Sequence, residues 1–235
     1  RETSTWLRRW TGRFIMVFGL IAVAPGNGRA IVTEIINAES GLDGPYDIAV
    51  DGSANVYVSG VWSDNAFKIT PGGVITEIIN AASGGDVLSG IAVDGEGNVY
   101  VTGAVSDNAL KITPGGVITE IINAASGLDL PSNIAVDGEG NVYVTGTGSD
   151  NAFKITPGGV ITLIINVTGD GVASLGGAGA IAVDRWGNVY VAGFFSYNAF
   201  KIGAIPVPAI PTTGLLLLVV MLAGVATYRV RGFRS

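Results

Sequence analysis

The chain has 235 residues, of which 48% are hydrophobic and only 14% are charged, and it contains neither cysteine nor histidine. The absence of cysteine excludes disulfide bonds and thiol nucleophiles, and the absence of histidine excludes catalytic triads with an imidazole base. Between residues 31 and 211 eighteen carboxylates accompany five basic side chains, so this part of the chain is a poor partner for nucleic acid.

Residues 1–30 have the pattern of an export signal. Arg8, Arg9 and Arg13 lie before an apolar run from Phe14 to Ala24, and residues 28–30 read Gly-Arg-Ala. A basic segment, a short apolar core and a small-residue cleavage site are typical of a secretory signal peptide. The alternative is a retained N-terminal anchor helix, although the apolar run is shorter than the ~20 residues that span a bilayer.

From residue 31 onward the sequence repeats with a period of 43 to 47 residues. The segment IAVDGEGNVYVTG at residues 91–103 recurs in four versions, which bring Asp51, Asp94, Asp137 and Asp184 into register. Each unit contains short runs of alternating apolar residues, separated by Gly-rich or Pro-Gly-Gly turns. Such runs predict strands, and a period of about 40 to 45 residues with four strands is typical of a propeller blade.

The order of the strands predicts how the blades are arranged. A copy of the fourth strand at residues 31–37 precedes the first complete set, while the last set ends at Lys201-Ile202 without a fourth strand. We therefore predict an all-β fold, a four-bladed β-propeller with four strands in each blade, in which residues 31–37 supply the outer strand of the last blade. The alternative is an open arc of four blades from a truncated or dimerising chain.

The repeats resemble the NHL-type and related short-blade propeller repeats, whose units read roughly as a proline, Ile-Ala-Val-Asp and Gly-Asn-Val-Tyr-Val. Residues 45–58 and 131–144 match this pattern best, and the resemblance covers about residues 31–203. Many NHL repeats continue with an Asp, where this chain has Ser or Thr. The resemblance implies a propeller but no particular function, because such propellers serve as binding platforms, hydrolases and lyases.

The C-terminal tail has a composition of its own. A Pro-rich linker at residues 205–214 is followed at residues 215–235 by an apolar stretch and a cluster of arginines. The tail resembles sorting signals of the PEP-CTERM and IPTL-CTERM type, which implies processing by an exosortase-like membrane enzyme. We thus predict a signal peptide at residues 1–30, a propeller at residues 31–204, and a C-terminal hydrophobic helix that anchors the exported propeller to a membrane, in a periplasmic, outer-surface or extracellular location.

The loops between the second and third strands carry a repeated Ser-Asp-Asn motif. It would place Asp64, Asp107 and Asp150 around one mouth of the ring, where Tyr197 replaces the fourth carboxylate. Hard cations and polar ligands bind such oxygens, whereas loop Asp and Asn side chains also hydrogen-bond backbone groups near them. Recurrence in every blade favours the backbone role.

Positions that differ between blades are better markers of a specific site. Trp62, Phe194 and Phe195 are aromatic where the other blades have smaller residues, and ring closure would make their two blades neighbours. Aromatic side chains beside Asp and Asn are typical of glycan and peptide sites, although they also pack locally under loops. The candidate ligand-binding residues are therefore Trp62, Asp64, Asp107, Asp150, Phe194, Phe195 and Tyr197.

An enzymatic alternative depends on the innermost strands. Asp47 and Asn133 are polar where the other two units have small residues without a polar side chain, and they could start a divalent-cation site in the channel. The set is incomplete, and the lyases that the repeats resemble use a histidine base. The leading hypothesis is a non-catalytic, surface-tethered propeller without a cofactor that binds a glycan, peptide or protein; the alternative is a metal-dependent hydrolase or lyase centred on Asp47 and Asn133.

Overall fold

The computed structural model describes residues 31–203. The predicted signal peptide and the predicted linker and anchor lie outside the described residues. By their internal contacts, residues up to Glu34 form one unit and residues from Ile35 onward form another. All regular structure of the described residues lies in the second unit and consists of fifteen strands and three 3₁₀ helices, at Ala38–Ser40, Ala81–Ser83 and Ala124–Ser126. None of these helices could cross a membrane.

The strands form four antiparallel sheets that follow one another along the chain. The first contains β1 (Pro45–Val50), β2 (Val56–Gly60), β3 (Asn65–Ile69) and β4 (Ile75–Ile79). The second contains β5 (Leu88–Val93), β6 (Val99–Gly103), β7 (Asn108–Ile112) and β8 (Ile118–Ile122). The third contains β9 (Pro131–Val136), β10 (Val142–Gly146), β11 (Asn151–Ile155) and β12 (Ile161–Ile165). The fourth contains β13 (Ala178–Val183), β14 (Val189–Gly193) and β15 (Asn198–Ile202).

Each sheet is a simple meander because its turns suit hairpins. In the second sheet the backbone amides of Gly97 and Gly116 donate to the carbonyls of Asp94 and Thr113 at 3.1 and 2.9 Å. Both glycines have φ near +80° (81° and 80°), a conformation that a residue without Cβ adopts at little cost. The same turns recur along the chain, so strand order equals sequence order in every sheet.

The sheets pack face to face through apolar layers. Tyr57 and Ala66 of the first sheet, for example, lie in one buried cluster with Ile91, Val99 and Val101 of the second. Corresponding clusters join the second sheet to the third and the third to the fourth. The first strands pack in the order β1, β5, β9, β13. This arrangement is that of propeller blades, and the four sheets are called blades 1 to 4 below, with each contact between consecutive blades called a junction.

The predicted closure of the ring is wrong. Among the described residues β15 pairs with β14 alone, so blade 4 has three strands, and residues 31–37 form no strand. The inner strands β13 and β1 do not pack on each other as consecutive inner strands do. The blades therefore form an open arc, which was the alternative.

We expect the junction between blades 2 and 3 to tolerate no side chain at Gly90. A Cβ atom there would lie 2.8 Å from Cα of Asn133 and 2.9 Å from the amide nitrogen of Ile134. Because the obstruction is backbone, Gly90→Ala should lower the free energy of unfolding by about 1–3 kcal/mol, the usual cost of overpacking. The matched control is Gly95→Ala, since no atom lies within 4 Å of a Cβ at Gly95. Denaturant unfolding measures both, and equal stabilities would contradict the expected close approach.

Candidate functional site

The loops between the second and third strands of each blade lie on one side of the arc. We call them the loop surface; they comprise residues 61–64, 104–107, 147–150 and 194–197. Within the motif that recurs there, Ser and Asn bind the blade's own backbone. In blade 2 Ser106 donates to Asn108 at 2.8 Å, and the amide of Asn108 donates to the carbonyl of Gly84 at 2.9 Å. The other blades repeat these bonds, which confirms a capping role for Asn.

The Asp of the motif links its blade to the next one. Oδ1 of Asp64 accepts a hydrogen bond from the amide of Val87 at 2.7 Å, and Oδ1 of Asp107 accepts one from Leu130 at 2.8 Å. Asp150 accepts in the same way from Gly177. The three Asp residues have φ between +49° and +51°, a region that Asp tolerates better than most residues. Each of these predicted site residues therefore serves a junction.

Blade 4 lacks this link because Tyr197 replaces the Asp. Its backbone has the same left-handed conformation, with φ of +55°, but its side chain is 94% exposed. No described blade follows blade 4, so the structure contains no amide in the position that Val87 occupies for Asp64. The sequence difference at Tyr197 thus coincides with the end of the arc.

Trp62 and Phe195 rest on glycines of their own blades. A Cβ on Gly44 would lie 2.8 Å from Cδ2 of Trp62, and one on Gly177 would lie 2.5 Å from Cδ2 of Phe195. In the other two blades the same pairs of positions hold Val105 with Val87, and Gly148 with Leu130. The loop residue is thus large where its partner is glycine, and it is glycine where its partner is larger. Such compensation in size between two positions is a sequence signal that they pack against each other.

The outer faces of these aromatic rings remain open to solvent. Trp62 is 77% exposed, Phe194 is 71% exposed and Phe195 is 67% exposed. Phe194 and Phe195 meet edge to face, with ring centroids 5.2 Å apart and an interplanar angle of 75°. Together with Tyr197, blade 4 presents three exposed aromatic rings on a single loop. Trp62 lies on blade 1, at the other end of the arc, so one chain does not bring it beside the phenylalanines.

Asp47 and Asn133, the candidate metal ligands, are both bonded to backbone. Oδ2 of Asp47 accepts from the amide of Ile91 at 3.0 Å, and its Oδ1 accepts from Ile48 at 2.8 Å. Oδ1 of Asn133 accepts from Ile181 at 3.4 Å. The two side chains thus belong to different junctions, between blades 1 and 2 and between blades 3 and 4. In residues 31–203 no three His, Cys, Asp or Glu side chains are grouped so that they could hold a metal ion.

Buried hydroxyl groups complete the inner ends of the junctions, which was not predicted from the sequence. Ser59 donates to the carbonyl of Ser89 in the next blade, and Ser89 donates to the carbonyl of Pro131 in the one after it, at 3.1 Å. The amide of Gly90 donates to Thr102 at 2.8 Å. Ser59 and Thr102 occupy the position where many NHL repeats have Asp. No buried side-chain N or O atom of the described residues lacks a partner.

The Asp in the first turn of each blade has a lowered pKa. Partial burial tends to raise the pKa of Asp51, but hydrogen bonds from Asn55, Tyr57 and Ser53 outweigh it and lower the pKa to about 2. Burial and the neighbouring carboxylate raise the pKa of Tyr57 to about 12. The pKa values of Asp94 and Asp137 are also lowered. These carboxylates stay ionised at neutral pH, which makes them poor general acids.

A cleft that was not predicted lies between blades 2 and 3, at the end of the strands opposite to the loop surface. Its volume is about 770 Å³. Its charged lining residues are Asp94, Glu96, Lys111, Glu120, Asp137 and Glu139. The Lys111 ammonium lies 5.7 Å from the ring centre of Tyr100. A smaller cleft between blades 1 and 2 has corresponding residues, so the cleft is a repeated consequence of how neighbouring hairpins pack.

The repeats match a known family model. Residues 75–104 and 118–154 match the model described as SBBP, a beta-propeller repeat. No curated protein matches the chain at a significant level. Together with the four packed sheets, this match confirms the resemblance to propeller repeats, and the described residues have the fold of β-propeller blades. The part of the resemblance that concerns the C-terminal tail falls outside the described residues.

Solved structures with the same fold have diverse functions. A catalytically inactive virginiamycin B lyase from Staphylococcus aureus, crystallised with quinupristin, is 21% identical, with a TM-score of 0.54 over 71% of this chain and 57% of that one. A putative gluconolactonase is 15% identical, with a TM-score of 0.54 over 68% of this chain and 59% of that one. An auxiliary nutrient binding protein from Bacteroides ovatus is 15% identical, with a TM-score of 0.54 over 69% of this chain and 48% of that one. At these identities the similarity shows the fold alone.

The hydrogen bond that Asp107 accepts across the junction should contribute measurably to the free energy of unfolding. Asp107→Ala removes the acceptor for the amide of Leu130 and places alanine at a φ of +49°, so we expect a loss of about 1–2 kcal/mol in the free energy of unfolding. Asp107→Asn keeps an acceptor oxygen and tolerates this φ, so it should retain most of the stability. Tyr197→Ala, at the position without a following blade, should be nearly neutral. Equal losses for all three would contradict the link.

The lowered pKa of Asp51 makes part of the stability dependent on pH. A carboxylate whose folded pKa is depressed contributes stability above its ordinary value of 3.8, and this contribution is lost as the pH falls toward about 2. Tyr57→Phe removes one bond to the carboxylate, so the variant should be less stable than wild type at pH 7 and the difference should narrow toward pH 2. Thermal unfolding between pH 2 and pH 7 tests this, with exposed Tyr46→Phe as the control. A difference independent of pH would contradict it.

Proposed function

We propose that the chain is a non-catalytic β-propeller module that binds a glycan, peptide or protein ligand through its loop surface. The observation that carries this proposal is the loop of blade 4, where Phe194, Phe195 and Tyr197 are each at least two-thirds exposed. Exposed aromatic clusters on a rigid scaffold are typical of recognition sites, since ligand rings and apolar groups pack on them with little loss of conformational entropy.

The hydrogen bonding of the carboxylates supports binding rather than catalysis. Asp64, Asp107 and Asp150 are bonded across junctions, and Asp47 is bonded to two backbone amides. The lowered pKa values of Asp51, Asp94 and Asp137 result from hydrogen bonds within their own turns, so they need no catalytic explanation. A hydrolase or lyase needs a base or metal ligand that is free to meet substrate, and Asp47 and Asn133 already serve backbone amides.

The charge of the chain narrows the ligand class. Residues 31–211 contain eighteen carboxylates and five basic side chains, so anionic ligands are repelled. An uncharged glycan fits best, because the C–H faces of sugars stack on exposed aromatic rings and need no opposite charge. A basic peptide is the second class that this charge allows.

The proposal includes a place for the module in the cell. The basic and apolar pattern of residues 1–30 and the linker, apolar stretch and arginines of residues 205–235 support export followed by attachment to a membrane. The likeness of the tail to sorting signals supports an exosortase-like processing enzyme as a partner. In this setting the loop surface would meet ligands outside the cytoplasm.

Glycan-array binding by the full chain tests the proposed site. Phe194→Ala and Phe195→Ala should each weaken binding about tenfold, because loss of one stacked aromatic ring costs about 1.4 kcal/mol. Val105→Ala is the matched control, since Val105 occupies the position of Phe195 in blade 2 and is also exposed. Basic peptides immobilised beside the glycans test the second ligand class. Binding that is unchanged by both phenylalanine substitutions would remove the proposed site.

A further inference from the structure

The two ends of the arc expose surfaces that are buried at every internal junction. On blade 1 Ile48 is 58% exposed, and on blade 4 Tyr190 is 39% exposed. The residues in the same positions of the internal junctions, which are Ile91, Ile134, Ile181, Tyr57, Tyr100 and Tyr143, are between 2% and 7% exposed. Each end of the arc therefore carries one of the two faces that meet at an internal junction, and the opposite end carries the other face.

Blade 4 also lacks a strand whose sequence occurs elsewhere in the chain. Residues 33–37 read Thr-Glu-Ile-Ile-Asn, identical to residues 76–80 and 119–123, which contain most of the fourth strands β4 and β8. Yet residues 31–37 form no strand, and Val32 is 94% exposed. No strand within residues 31–203 pairs with the outer edge of β15, so these residues contain both a segment with the sequence of a fourth strand and a sheet edge that such a strand would fit.

We propose that two copies of the chain close into one ring, head to tail, with blade 4 of each copy packed on blade 1 of the other. Residues 32–36 of each copy become the fourth strand of the other copy's blade 4. Each exposed end would thus be covered by residues of the same kind as those that cover the equivalent surface at the internal junctions. The internal blades give the register, since Lys68 pairs with Thr76 and Lys111 with Thr119. Lys201 should therefore lie opposite Thr33 of the second copy.

The geometry of the two ends favours a second copy as the partner. The exposed surfaces differ from each other and lie on opposite ends of the arc, so neither is self-complementary. In a two-fold pair each surface meets the other twice, which covers both ends of both chains and gives each blade 4 its fourth strand. Because Tyr197 replaces the linking Asp of blade 4 and Ala192 takes the position of Ser59, this junction lacks side-chain hydrogen bonds that the junction between blades 1 and 2 has, and the pair should dissociate on dilution.

The pairing would also complete the aromatic set of the proposed ligand site. The loop of blade 4 would become the neighbour of the partner's blade 1, which carries Trp62. This consequence rests on the proposed function, whereas the pairing itself does not. Mass and cross-linking are measured without any ligand. They can therefore support the pair even if the glycan array shows no binding.

Introduced cysteines can test the register, because the chain has none of its own. Full-length chains with Thr33→Cys and with Lys201→Cys are purified separately in a mild detergent, mixed and oxidised. Directly opposed residues of antiparallel strands approach closely enough for a disulfide, so we expect a linked pair that contains one chain of each kind. The matched control replaces Lys201→Cys by Ala199→Cys, which is two residues out of register and should link poorly.

Light scattering on the same full-length protein tests the assembly. Wild type should have twice the mass of one chain, and both Ile48→Asp and Tyr190→Asp should be monomeric. Both side chains are exposed in the single arc, so the variants should fold and unfold in one cooperative transition, at a lower temperature than wild type because they lack the stabilisation that pairing provides. A mixture of the two variants should recover pairs, because one of its two junctions then contains neither substitution. Val160→Asp, at an exposed turn away from both ends, is the control and should pair normally.

Three results would overturn the proposal. The first is a wild-type chain that stays monomeric and forms no mixed disulfide. The second is a disulfide that forms only within a chain carrying both Thr33→Cys and Lys201→Cys, which would mean that each chain closes on itself. The third is a pair that survives either Asp substitution alone, since that pair would use a surface other than the two ends.

Discussion

The contact between consecutive blades is the constraint on which the rest of the structure depends. No sheet could bury its apolar side chains alone, and each blade covers one face of the next with the same tyrosine and aliphatic residues. Hydrogen bonds join consecutive blades on two sides of this layer. Asp64 and its equivalents make them at the loop surface, and hydroxyl groups such as that of Ser59 make them at the inner strands. Stability and blade spacing therefore come from one repeated contact.

The proposed function assigns structure and recognition to different positions of the repeat. Residues that recur, such as Asp107 in three blades and Asn108 in all four, are bonded to backbone in each copy. Residues that vary, such as Trp62 and Phe194, project from the loop surface and are free to meet a ligand. A repeat protein can change its binding specificity at the second kind of position without weakening the first, since the loop side chains contribute little to the buried layer.

Much of the fold could be predicted from the sequence because its determinants are local. Alternation of apolar residues and the Gly turns near Gly97 and Gly116 fix strands and hairpins within a few residues. Ring closure could not be predicted, because it depends on the rotation at each junction, which side-chain packing sets and no periodicity records. The roles of Asp47 and Asp64 were obscured for the same reason, since their partners, Ile91 and Val87, lie in the following blade.

The near-identity of the units has an evolutionary consequence. Because the spacing between the first three units is 43 residues and their contacts use the same side chains, unequal recombination within the coding sequence would insert or delete one whole unit in frame. Every remaining contact would keep its chemistry after such an event. Arc length is therefore a trait that a lineage can change in a single genetic step, without first passing through a poorly folded ancestor.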